Sequence, residues 1–292
     1  MPDRPALAGR SGYCSQPATV DSVAPPPGAR PRRAERPLVL AALLGALAAL
    51  AWAALWGWSV SPYARYVAHG GWGEFGALAA LCSAVPDGDL VVPALLHALA
   101  WVLMIAAMML PTTFPVLALF RRLVAGRPDA GALIFRVVLG FFGAWFAFGI
   151  AAHAADALLQ WGATRVPALA THAWALGAAV LAGAGLFQFS ALKYRCLEQC
   201  HTPFAFVAAR WHGAAPAREA WRIGVDHGLF CVGCCWALML LMFVVGAGNL
   251  GLMLALAVVM AAEKNLPWGR RLRTPLGLAL IGGGAAIAAA HA

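Results

Sequence analysis

The chain has 292 residues, of which 62% are hydrophobic and only 11% charged, and its net charge is +9. Soluble domains carry roughly 25% charged residues, so a soluble globular fold is excluded. A nucleic-acid partner is excluded as well, because the basic residues flank apolar runs instead of forming one basic and aromatic stripe. Anionic lipid headgroups are the partners that fit this charge.

Residues 1–37 contain Pro25-Pro26-Pro27 and a basic run from Arg30 to Arg36. They cannot bury a core and read as a disordered cytoplasmic tail. The basic lead and the apolar stretch after it are both too long for a signal peptide. Residues 38–291 read as a transmembrane helical domain, since about 20 apolar residues suffice to cross a bilayer. The predicted spans are 38–58, 90–120, 132–156, 174–192, 227–246, 250–262 and 275–290. Pro111 and Pro115 predict a kink in the second span, tolerable where neighbouring helices satisfy the freed carbonyls. The sixth is short enough for a re-entrant piece or a thinned span.

The expected fold class is therefore all-α: a polytopic transmembrane bundle of about seven helices, six being the alternative count. Lys and Arg are crowded into the segments assigned to the inside, leaving only Arg65 and Arg165 outside. This places the N-terminus and a loop over residues 193–226 in the cytoplasm.

Five of the seven cysteines fall in two clusters. Cys196 and Cys200, followed by His201, leave the fourth span; His227, Cys231, Cys234 and Cys235 open the fifth. Residues four apart share a helical face, so each cluster forms a stripe of soft ligands at the same cytoplasmic edge. A helix start at Asp226–Cys231 would also aim its positive dipole end at the thiols. The cytosol is reducing, which argues against structural disulfides, and clustered thiolate and imidazole groups suit Cu(I) or Zn(II). A heme attachment motif needs two residues between its cysteines, whereas Cys196 and Cys200 are separated by three. A lone cysteine in an apolar helix is ordinary packing material; Cys14 and Cys82 have no such neighbours.

Met104 and Met108 share a face of the second helix, with Met109 adjacent, and Met239 and Met242 continue the face of Cys231 and Cys235. At similar depth these thioethers are secondary Cu(I) contacts, or gap-filling side chains. Gln188, Ser190 and Lys193 end the fourth span, and Glu263 and Lys264 end the sixth. Intramembrane ionisable groups usually face a partner or a cavity; headgroup depth is the competing placement for Glu263 and Lys264. His97, His153 and His172 read as isolated interfacial histidines. Gly177–Gly185 and Gly282–Gly284 read as close-packing surfaces. No phosphate loop, nucleophile elbow or zinc-protease motif appears, so no enzyme activity is expected.

Met108-Met-Leu-Pro111-Thr, Gln188 to Cys200, His227-Gly-Leu-Phe-Cys231-Val-Gly-Cys234-Cys235-Trp236 and Glu263-Lys264-Asn265-Leu-Pro267 carry a resemblance. Over about residues 95–270 the chain resembles a bacterial family of metal-binding integral membrane proteins, a domain of unknown function also labelled copper-chaperone-like. His201 stands where the family has arginine, and Gly248 where it has methionine. The resemblance implies copper handling by Cys196, Cys200, His227, Cys231, Cys234 and Cys235, in the bacterial inner membrane. The expected function is Cu(I) binding, with zinc as the alternative ion and a metal-donating or metal-accepting protein as partner. Three rivals stand beside it: a metal or small-solute permease gated by the cluster, a membrane subunit with a structural zinc, and a thiol oxidoreductase.

Overall fold

The computed structural model describes residues 37–61, 91–166, 171–245 and 249–291. The basic tail, Cys14, Cys82, Arg65 and Gly248 lie outside the described residues. Every regular element among those described is helical: α1 (Pro37–Ser59), α2 (Val91–Met108), α3 (Phe114–Leu123), α4 (Ala130–Arg165), α5 (Ala173–Phe187), α6 (Ala191–His201), α7 (Pro203–Ala208), α8 (Pro216–Val245), α9 (Leu250–Asn265) and α10 (Arg273–His291). Short 3-10 turns cover Leu110–Thr113 and Gly269–Leu272.

The faces of α1 explain the composition. Leu40, Leu44, Ala48, Ala51 and Leu55 recur every three or four residues and are buried, while Leu43, Leu47, Leu50 and Trp56 on the other faces are exposed. A soluble helix would be polar there. Four helices are long and apolar enough to cross a membrane, or up to six if each of two bent pairs counts as one span. The prediction of seven needs α9 as a span, but its 16 residues fall short of the roughly 20 that cross without thinning.

Both bends have local causes. After Met108 the chain turns by 47° where Pro111 supplies no N–H and the helix tightens to a 3-10 turn. The hydroxyls of Thr112 and Thr113 donate to the carbonyls of Met109 and Leu110, each at 2.7 Å, and the Trp52 indole donates at 3.2 Å to the Ala107 carbonyl, which the proline leaves without its helical donor. Between α5 and α6 the bend is 59°. Ser190 is extended there and its Oγ accepts the Lys193 N–H at 3.1 Å, capping α6.

Residues 193–226 are not a loop. They form α6, α7 and the first turns of α8, which begins at Pro216 and not at His227. Glu219 nucleates that earlier start by accepting the backbone N–H groups of His212, Gly213 and Ala215 at 2.8–3.0 Å. Gly213 takes the left-handed conformation the turn requires, at φ +77°. The positive end of the α8 dipole therefore lies at this turn, well removed from the thiols.

Glycine sets the close approaches. A Cβ at Gly224 would lie 2.1 Å from the Val137 carbonyl oxygen, and one at Gly140 2.6 Å from that of Trp221, so α4 and α8 meet backbone to backbone. Gly185 and Gly284 play the same part between α5 and α10, whereas Gly183 and Gly282 face open space. Substituting Gly224→Val should therefore cost about 1–3 kcal/mol, as overpacking does, and lower the melting temperature of the detergent-purified protein. Gly183→Ala should leave it unchanged, and equal melting of the two variants would contradict this packing.

Candidate metal-binding centre

The bends place sulfur together. All five described cysteines and all seven described methionines belong to one buried core. The helices α2, α6, α8 and α9 each contribute sulfur to that core.

On α8, Cys231, Cys234 and Cys235 are fully enclosed. The Cys234 and Cys235 thiols both donate to the Cys231 carbonyl, at 3.1 and 2.8 Å. From α6, Cys196 Sγ lies against Gly233 so closely that a Cβ there would stand 2.6 Å from the sulfur. Cys200, on the next turn, is buried in the same core. The two cysteine clusters are thus in contact across α6 and α8. At the proline break in α2, Met109 Sδ approaches Cys235 Sγ at 4.0 Å. Met104, Met108, Met239 and Met242 line the same core. With α8 starting at Pro216, Met239 lies much farther from its helix start than a start at His227 implies.

The remaining predicted ligands go elsewhere. The His227 ring stacks on Phe141 at 5.7 Å between centroids and meets Phe206 edge-on at 5.6 Å. It borders a small apolar cavity with Leu117 and Val137, and its buried Nδ1 has no hydrogen-bond partner. His201 has its Nε2 2.8 Å from the Glu263 carbonyl oxygen. His97 and His153 are not isolated: their rings are 6.1 Å apart, with Trp101 5.6 Å from His153.

Glu263 and Lys264 face the protein interior. Both are buried, as are Gln188 and Lys193. Lys193 Nζ forms an ion pair with Glu263 Oε2 at 2.7 Å and also donates to Gln188 Oε1. Lys264, facing the other way, reaches the sulfurs: its Nζ is 2.9 Å from Cys231 Sγ and 3.7 Å from both Cys235 Sγ and Met109 Sδ. Lys264 was read as one of several polar intramembrane groups, and its place in the thiol cluster escaped that reading. A signal was present: Met253, Met260 and Lys264 recur on one face of α9 at helical spacing.

The donor chemistry suits a soft ion: thiols, a thioether and an orphaned imidazole nitrogen, all buried. Yet among the described residues no three His, Cys, Asp or Glu side chains stand arranged to hold a metal ion. The ammonium of Lys264 lies between the sulfurs instead.

A family model, PpoB2, described as copper chaperone, matches residues 98–287. Comparison with curated proteins returned no match, nor did comparison with solved structures.

Removing one partner of a buried ion pair costs about 3–5 kcal/mol, whereas replacing both with apolar groups is often neutral. Lys193→Met or Glu263→Leu alone should sharply lower the melting temperature in detergent. The double variant should recover most of that loss; single variants that melt like wild type would show the pair to be energetically idle.

Proposed function

The chain belongs to the copper-chaperone family, and on that premise we propose that it is an integral membrane protein that binds Cu(I) through a buried sulfur cluster and hands it to a metal-accepting protein. The observation that carries this reading is the convergence of Cys231, Cys235 and Met109, with Cys196, Cys200 and Cys234 beside them. Cu(I) favours few, soft ligands, and a set of two thiolates and a thioether answers that preference. His227 is the reserve ligand, one turn from Cys231.

Copper is here the cargo, so the protein's part is to bind, shield and release it. Cys196 and Cys200, buried but slightly less so than the α8 thiols, would be the first or last sulfurs a passing ion meets. The apolar outer faces of α1, α4 and α10 fit a bilayer, consistent with residence in the bacterial inner membrane. Purified protein, loaded anaerobically, should hold about one Cu(I) per chain, as expected of a single cluster of soft ligands. Cys231→Ser with Cys235→Ser should abolish that binding, measured by elemental analysis after desalting. Wild-type metal content in the double variant would refute the assignment.

One observation favours passage across the membrane as a second reading. His97, Trp101, Met104 and Met108 are spaced four, three and four apart, which is one face of α2, and His97 meets His153 at its far end. A soft-ligand row of that kind would lead from one end of the bundle to the thiols. Uptake of Ag(I), a redox-inert stand-in for Cu(I), into proteoliposomes should then depend on Met104 and Met108; uptake no faster than in empty liposomes would leave the carrier reading alone.

A further inference from the structure

We propose that Lys264 sets the charge of the cargo, making the sulfur cluster a site for monovalent soft cations over divalent ones; this rests on the metal-binding reading above. The argument is one of charge in an apolar interior. Glu263, the carboxylate next to Lys264 in sequence, is committed to Lys193 at 2.7 Å, and those two neutralise each other. The described contacts of Lys264 Nζ are all to sulfur: Cys231 at 2.9 Å, Cys235 and Met109 at 3.7 Å. The positive charge of Lys264 is therefore met within the cluster by sulfur and by no carboxylate.

A metal bound by Cys231 and Cys235 sits on two thiolate charges, while the Met109 thioether contributes none. With the ammonium alongside, one Cu(I) or Ag(I) brings the site to neutrality. The same ligands around Zn(II) leave a net positive charge, which a low-dielectric interior strongly opposes. Without the ammonium the balance reverses: two thiolates neutralise a divalent ion and leave a monovalent complex negative. The ion takes the position among the sulfurs that the ammonium holds in its absence, and Lys264 stays beside it as counter-charge.

The experiment uses the full chain in detergent, with Cu(I), Ag(I) and Zn(II) affinities measured separately by competition against chelators of known strength. Wild type should prefer the monovalent ions. In Lys264→Leu the ratio of Cu(I) to Zn(II) affinity should fall by at least about tenfold, the scale set by unpairing a buried charge. Lys264→Gln, neutral and hydrogen-bonding, should lose the same selectivity and serves where the leucine variant does not fold. Lys264→Arg, which keeps the charge, should retain the preference. An unchanged or increased ratio in the neutral variants would overturn the proposal, as would an arginine variant that loses as much as glutamine. Wild type that binds Cu(I) without preferring it over Zn(II) would overturn this proposal while leaving metal binding in place. Wild type that takes up neither ion would bring down the metal-binding reading and this one with it.

Discussion

Two lysines and a glutamate are enclosed by a bundle that is otherwise almost wholly apolar, and their pairing constrains everything around them. A buried charge without a partner costs more than most single interactions in a protein contribute. Lys193 meets that constraint with Glu263 and Gln188, tying the start of α6 to the end of α5 and the end of α9. Lys264 meets it with sulfur. Because Glu263 and Lys264 are consecutive, the two solutions share one turn of helix: orienting the ion pair also orients the ammonium toward the thiols.

The breaks in the helices are part of the same construction. Met109 closes the last helical hydrogen bond of α2, to the Ile105 carbonyl at 2.8 Å, and the tightened turn at Pro111 begins just after it; the Ala107 carbonyl, which the proline leaves without a helical donor, accepts from the Trp52 indole at 3.2 Å. A straight continuation of α5 would project Cys196 and Cys200 away from α8. The capped bend at Ser190 lays α6 along it, so closely that only glycine fits at position 233. Backbone irregularity at such depth is tolerated where protein surrounds it. Here it brings the donors of separate helices within reach of one another.

The sulfurs are adjacent, with the Lys264 ammonium against them, and among the described residues no three His, Cys, Asp or Glu side chains stand arranged to hold a metal ion. His227 marks the edge of this centre: Phe141 and Phe206 hold its ring at the apolar cavity, and its free nitrogen is within a turn of the thiols without meeting them.

Much of this was legible in the residues alone. The apolar runs locate the long helices, although α4 runs on to Arg165 and α8 begins at Pro216, and the spacing of Cys231 and Cys235 puts them on one face whatever the fold. Those properties are local, fixed by hydropathy and by 3.6 residues per turn. The start of α8 was misplaced because the signal at Glu219 is a hydrogen-bonding one and the stretch before His227 is not apolar. Up to six spans, the alternative count, fit the helix lengths; a seventh would need α9, which is apolar but only 16 residues long. Which way Lys264 points, where His227 and His201 turn, and that Met109 joins the thiols were settled only by tertiary structure. Each depends on the relative rotation and bending of helices far apart in sequence, and burial penalises every arrangement that leaves a charge unmatched. Periodicity says which residues share a face; only packing says what that face meets.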